Sequence, residues 1–243
     1  MNITPDLHIY DLCLYSKHHQ ALIFSDVHMG FEESLNKQGL LIPRFQFKEI
    51  MQRLEKVIET IKKEQNIQNF KSVIINGDLK HEFGRISEQE WRHTLKLLDF
   101  LNKHTDEIIL VRGNHDTILG PIAKKRNVQP VDFKILGDIL LIHGDIIPED
   151  NLLENINTII IGHEHPAISI QDGARVETFK CFLKGNYQKK TLIVLPSCNL
   201  VTEGTDLLKQ ARLSPLMPSN IDNFEAYIIA DSIYKPIKIK QLL

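Results

Sequence analysis

Short apolar runs, each ending in a polar motif, recur through the first two thirds of the chain. Residues 21–25 lead into Asp26, 72–76 into Gly77-Asp78, 107–111 into Gly113-Asn114, 139–142 into His143, and 158–161 into Gly162-His163. Each run has the length and aliphatic character of a buried strand. Between the first two, Phe47, Ile50, Met51, Leu54, Val57, Ile58 and Ile61 recur at helical spacing, with Pro43 near the expected first turn. A second helix is predicted from Ser87, where Ser87-Glu88-Gln89-Glu90 fits a capping box, with its apolar stripe running through Trp91, Leu95, Leu98 and Leu101. Runs at 192–195, 226–230 and 237–239 read as strands of a second sheet or its edge. Strands alternating with amphipathic stretches give an α/β rhythm, and the five motifs fall at strand C-terminal ends, where ligands bind in open α/β sheets.

Composition narrows the setting. With 243 residues, 42% apolar and 25% charged, the chain reads as an ordinary folded protein, and one domain over residues 1–243 is the simplest division. Its longest apolar runs are strand-length, far short of a membrane span of about 20 residues. The N-terminus lacks a basic segment followed by an apolar stretch, so no secretory signal is expected. Cys13, Cys181 and Cys198 are widely spaced and form no CxxC pair, which fits a reducing cytoplasm. A net charge of −2 and a pI of 6.6 exclude a generically basic nucleic-acid coat, so any nucleic-acid binding must be local.

The chemistry lies in five motifs taken in order: Asp26-Val27-His28, Gly77-Asp78, Gly113-Asn114-His115-Asp116, His143-Gly144 and Gly162-His163-Glu164-His165. An isolated DxH says little, because an Asp and a His at one strand end can simply hydrogen-bond to each other. The glycine turns of the third and fifth motifs are more telling, since they put imidazoles where core packing has no use for them. Two divalent cations about 3.5–4 Å apart can bind the attacking and leaving oxygens of a phosphoryl transfer, provided a carboxylate screens their repulsion. Asp78 is the candidate bridge. Asp26 and His28, as residues i and i+2 of an extended strand end, are expected to converge on one ion. Imidazole, carboxylate and amide donors without thiolate suit manganese, iron or zinc.

This ordered set resembles the calcineurin-like metallophosphoesterases, whose motifs run D-x-H, G-D, G-N-H-D or E, H, and G-H-x-H. The resemblance spans Asp26 to His165 and implies a four-layer α/β/β/α sandwich with two mixed sheets. It implies one ion on Asp26, His28, Asp78 and His165, and another on Asp78, Asn114, His143 and His163, with Mn(2+) the first candidate. His115 is then a catalytic group that stabilises the phosphoryl group or protonates the leaving oxygen, with Asp116 orienting its ring. Gly77-Asp78-Leu79-Lys80-His81 further resembles the SbcD-type nucleases of DNA repair, in which the added histidine positions the phosphodiester, making His81 a second catalytic candidate. Alternatively, His81 caps the helix that follows. Residues 26–30, Glu32-Glu33, Pro43-Arg44 and the short length are similar to the archaeal SbcD-related phosphoesterases and the ligase-associated PdeM group. With its last predicted strands close to residue 243, the chain is expected to lack the DNA-binding cap and partner-binding tail of full-length SbcD-type nucleases, so compact phosphodiesterase activity is expected rather than processive resection.

The implied substrate is a nucleic acid or nucleotide phosphodiester, and DNA-repair proteins or a second copy of the chain are the candidate protein partners. A phosphomonoesterase or nucleotide phosphatase would use the same ions, and a non-catalytic scaffold on this fold is the rival outside enzymes. Lys124-Lys125-Arg126 reads as a phosphate contact or a solvated turn, and Arg85 as an anion-binding group or a surface ion pair. Ser197 has no partnered base and no GxSxG elbow. Cys198 reads as a buried structural thiol, and His8, His18, His19, His93 and His104 as surface or packing residues.

Overall fold

Branched aliphatic runs pack well on a pleated surface covered on both faces, and they supply most of the strands here. The computed structural model describes residues 1–84 and 86–243 and arranges the strands in two mixed sheets. The first sheet has the order β1 (Leu7–Tyr10), β2 (Cys13–Ser16), β3 (Ala21–Phe24), β4 (Ser72–Asn76), β5 (Ile108–Val111) and β6 (Pro130–Val131). β1 to β3 form an antiparallel meander, and β3 to β6 are parallel. The second sheet contains β7 (Lys134–Leu136), β8 (Ile139–Leu141), β9 (Thr158–Ile161), β10 (Pro166–Asp172), β11 (Arg175–Tyr187), β12 (Lys190–Val194), β13 (Thr205–Asp206), β14 (Glu225–Ile228) and β15 (Ile237–Lys238). Its central strands β8, β9 and β12 are parallel.

Strand periodicity sorts the second sheet's side chains between two cores. Leu141, Ile160, Phe182 and Ile193 join the cluster that fills the first sheet, whereas Leu140, Ile159, Ile161, Leu183, Leu192 and Val194 point the other way. Against the first sheet pack α2 (Gln46–Gln65) and α3 (Glu88–Leu101), which follow α1 (Phe31–Lys37) and precede α4 (Gly120–Lys124). The outer layer on the second sheet is thin: the 3₁₀ turn Asp150–Leu153, the stretch bearing Leu207, Leu216, Met217, Ile221 and Phe224, and Ile239 cover it. The sandwich has the expected two mixed sheets, with its α-helices concentrated on one side.

Three local expectations change. Pro43 lies before α2, not in its first turn; Phe45 is the N-cap, and the buried Glu32 carboxylate accepts from the Phe45 and Gln46 N–H groups at 2.7 and 2.8 Å. Another helix thus supplies the acceptor that the α2 terminus lacks. The Ser87 capping box is present, with the Glu90 N–H donating to Ser87 Oγ at 3.1 Å and the Ser87 N–H donating to Glu90 Oε2 at 2.6 Å. Because Glu90 and Thr94 are fully buried, however, the covered face of α3 runs through Glu90, Thr94, Leu97, Leu98 and Leu101, leaving Trp91 and Leu95 half-buried. His81 does not cap α3, since Ser87 does.

Candidate metal centre

The five motifs meet where the C-terminal ends of both sheets converge. Asn76, the last residue of β4, joins them: its carbonyl accepts from Ser25 Oγ at 2.8 Å, and its Nδ2 donates to the Ile142 carbonyl at 2.8 Å. Across the same seam, the Asp26 carbonyl accepts from Ser197 Oγ and the Asn199 N–H at 2.8 and 3.0 Å. Ser197 is therefore a structural hydroxyl in this arrangement. All three cysteines are buried and free.

Seven residues form two donor groups. In one, Asp26 Oδ1 lies 3.2 Å from His165 Nε2, which is 3.3 Å from His28 Nε2. In the other, His143 Nε2 lies 3.0 Å from Asn114 Oδ1 and 3.3 Å from Asp78 Oδ2, and His163 completes the group. The Asp78 Oδ2 atom is also 3.7 Å from His28 Nε2, so this carboxylate stands between the groups. Donor bonds of about 2.0–2.1 Å place two ligands of one ion about 3.0–3.4 Å apart, so these separations suit shared cations. The His143 ring is aimed by its other nitrogen: Nδ1 donates to the Asn76 carbonyl at 3.2 Å and leaves Nε2 for the centre.

The backbone reaches this geometry by an unexpected route. Asp26, His28, Asp78, His163 and His165 all have left-handed φ values, between 48° and 62°. Asp26 and His28 do converge, but through two left-handed residues and not along an extended strand end. Such conformations cost non-glycine residues about 1–3 kcal/mol each, and they concentrate where a site dictates the chain path. The glycines serve close approach: a Cβ on Gly77, itself at φ 94°, would overlap the His143 imidazole, and one on Gly113 would overlap the Asp78 carboxylate.

Electrostatics prepare the donors. Burial pushes the Asp26 carboxyl up, but His165, His143 and His28 together hold it well below the usual range. Burial likewise opposes ionisation of Asp78, and the hydrogen bond and charge of His143 outweigh it. His28 is lowered to about 3 by burial and by His165, and His163 is lowered by burial and by His143. His143 goes the other way, to about 9, because Asp78 and Asp26 overcome its burial. The ionised carboxylates and the lowered imidazoles of His28 and His163 are ready metal donors, and His143 carries one proton for a cation to displace.

His115 and His81 flank this set. Ring centroids of His115 and His81 lie 4.8 and 5.4 Å from that of His28, and 5.2 Å from each other. His115 Nε2 faces Asp78 Oδ2 at 4.0 Å, and its Nδ1–H donates to the carbonyl of His81. The expectation that Asp116 orients the His115 ring is therefore corrected. Asp116 is buried and accepts from the backbone N–H groups of Gly113 at 3.1 Å and of Leu79 and Lys80 at 3.3 Å. It clamps two motif loops together, and the ring is oriented by the His81 carbonyl instead.

Lys80 is a site residue that the motifs did not reveal. Its side chain is buried, and its ammonium donates to the carbonyls of Glu82 and His115, the latter at 2.5 Å. Its proximity to the motif was the only signal, and a lysine beside a strand end ordinarily reads as solvated. Glu90 was visible as a cap, but its Oε1 also accepts from the His81 and Glu82 N–H groups, at 3.0 and 2.6 Å. Arg85 lies outside the described residues. Arg126 pairs with Asp99 and Lys125 sits over the Trp91 ring, consistent with the solvated-turn reading of that basic segment.

The fold and its two donor groups define a metal-dependent hydrolase of phosphoric esters. The chain belongs to the calcineurin-like phosphoesterase family, whose family model matches residues 19–193. Among solved structures, the nuclease MPE of Pseudomonas putida shares the fold at a TM-score of 0.61 and 21% identity, covering 93% of this chain and 92% of that one. A predicted phosphoesterase from Streptococcus pneumoniae aligns at 15% identity and a TM-score of 0.32, covering 90% of this chain and 96% of that one. A point variant of Vps29 from Entamoeba histolytica aligns at 15% identity and 0.35, covering 90% and 98% respectively. No curated protein sequence matches the chain significantly. Among the described residues, no helix is long and apolar enough to cross a membrane.

Proposed function

We propose that this metallophosphoesterase is a phosphodiesterase acting on nucleic acid or nucleotide substrates, with DNA repair as its setting and manganese as its first candidate metal. The observation carrying this reading is the third imidazole, His81, held against His28 and His115. A phosphodiester presents two ester oxygens, and a second imidazole beside the proton donor gives the site a group for holding the ester arm that stays. The Pseudomonas putida neighbour, a nuclease, points the same way. The free cysteines fit work in a reducing compartment.

In this mechanism, Asp26, His28, Asp78 and His165 would hold one cation, and Asp78, Asn114, His143 and His163 the other. Bound there, the pair lowers the pKa of water and neutralises phosphoryl charge. Water forms the new P–O bond and releases a proton to solvent, and the ester P–O bond opposite it breaks. Donation of Nδ1–H to the His81 carbonyl directs His115 Nε2 at the centre, so the imidazolium proton on Nε2 passes to the departing alkoxide. The products are an alcohol and a phosphomonoester.

The test is an activity panel on the manganese-reconstituted protein: single-stranded DNA, duplex DNA, RNA, cyclic nucleotides, a bis-aryl phosphate diester and the matching monoester. Asp78→Ala reports contaminating activity. Hydrolysis favouring diesters is expected; preferential monoester cleavage would sink the proposal.

A further inference from the structure

Phe83 breaks the pattern of the surrounding residues. It sits five positions past Asp78, and its ring centroid is 3.8 Å from that of His115, yet 52% of the residue is open to solvent. Its position is fixed by hydrogen bonds to the residues before it and to the facing segment at Thr117. The Phe83 carbonyl accepts from Thr117 Oγ1 at 2.5 Å, Lys80 ties Glu82 to His115, and Glu90 holds the His81 and Glu82 N–H groups. Ile118, next to Thr117, is a further exposed apolar side chain on the opposing segment, at 37%. A tightly held segment therefore presents an aromatic face to solvent beside a cluster of charged and polar donors. Core packing does not account for this, since about half of the residue's surface stays open to solvent.

Resting on the function proposed above, we infer that Phe83 is a specificity-determining residue that stacks the nucleobase of the leaving nucleoside. If His115 protonates the leaving oxygen, the group attached to that oxygen departs beside the His115 ring, where Phe83 lies. A nucleobase is planar and apolar on its faces, and stacking on an aromatic side chain is tolerant of base identity. The site thereby favours diesters whose leaving arm is a nucleoside, with little preference among the bases.

The inference is tested with three dinucleotides under manganese: bases on both sides of the phosphate, an abasic tetrahydrofuran residue on the 5′ side, and the same on the 3′ side. The end of the product that carries phosphate identifies the leaving arm. In the wild-type protein, loss of the base from the leaving arm is expected to lower kcat/KM by about 5- to 100-fold, and loss from the other arm by much less. In Phe83→Ala the ratio between the intact and leaving-arm abasic substrates falls close to one, and Phe83→Trp restores it. If Phe83 only shields His115, Phe83→Ala slows all three substrates equally and the ratio stands; that result overturns the inference alone. Absence of Asp78-dependent cleavage of every dinucleotide overturns the phosphodiesterase reading and the inference with it.

Discussion

Replacing Glu90 with Gln tests whether a helix cap also governs the catalytic imidazoles. Glu90 is fully buried, and its carboxylate accepts three backbone N–H groups: His81 and Glu82 on Oε1, and Ser87 on Oε2. A glutamine can keep its oxygen on the two N–H groups at Oε1, but its NH₂ then faces the Ser87 N–H, donor against donor. Orphaning one buried donor costs about 1–3 kcal/mol, and the two remaining bonds lose their charge assistance, for a total of about 3 kcal/mol. For a chain of this size that lowers Tm by about 6–12 °C. The functional effect follows from the His81 carbonyl, which fixes the His115 ring. With that segment loosened, kcat on a bis-aryl phosphate is expected to fall about 10- to 100-fold. Among the described residues, none of the seven candidate metal donors hydrogen-bonds to Glu90, so two ions per chain are expected to be retained. Thermal unfolding, metal analysis and steady-state kinetics on one preparation decide the matter. An unchanged Tm would show that the carboxylate does not hold the loop; loss of metal with loss of rate would show that the defect passes through the ligands and not through His115.

His115→Ala is expected to keep both metals and lose about 10²- to 10⁴-fold in kcat, and wild-type turnover would remove His115 from the mechanism. Gly113→Ala places a methyl group on the Asp78 carboxylate, so metal stoichiometry by elemental analysis should fall below two and Tm should drop, at a cost of about 1–3 kcal/mol; an intact metal pair would contradict the close packing. Because His143 stays protonated up to about pH 9 in the metal-free chain, a cation must displace that proton. Manganese affinity should therefore rise about tenfold per pH unit between pH 6 and 8, with one proton released, as titration calorimetry in buffers of different ionisation enthalpy would show; pH-independent affinity would refute it.

The strand ends and the meeting of the five motifs were legible in the sequence because aliphatic runs, glycine turns and motif order are local signals. The backbone conformation at those positions was not: Asp26 and His28 follow a buried strand, and only the convergence of two sheets imposes left-handed turns on them. The role that the family resemblance implied for Asp116 does not hold here, because burial turns its carboxylate toward three backbone donors. The long hairpin of β10 and β11 was missed for a different reason. Residues from Arg175 to Glu177 are exposed and polar-rich, so neither face of that stretch carries an apolar stripe. The meander through β1 and β2 and the short α1 escaped similarly, being too brief to establish a period.

The left-handed candidate ligands also leave a trace that outlasts catalysis. Alanine at Asp26, His28, Asp78, His163 or His165 would remove a donor but keep the unfavourable φ, whereas glycine would remove both, gaining about 1 kcal/mol or more over alanine at each position. Selection that no longer needed the chemistry would feel only the second term. A descendant of this chain that had given up phosphoester hydrolysis should accumulate glycine or asparagine at these five positions before its strands changed. Decay of the activity could then be read from which residue replaced the ligand, and not merely from its loss.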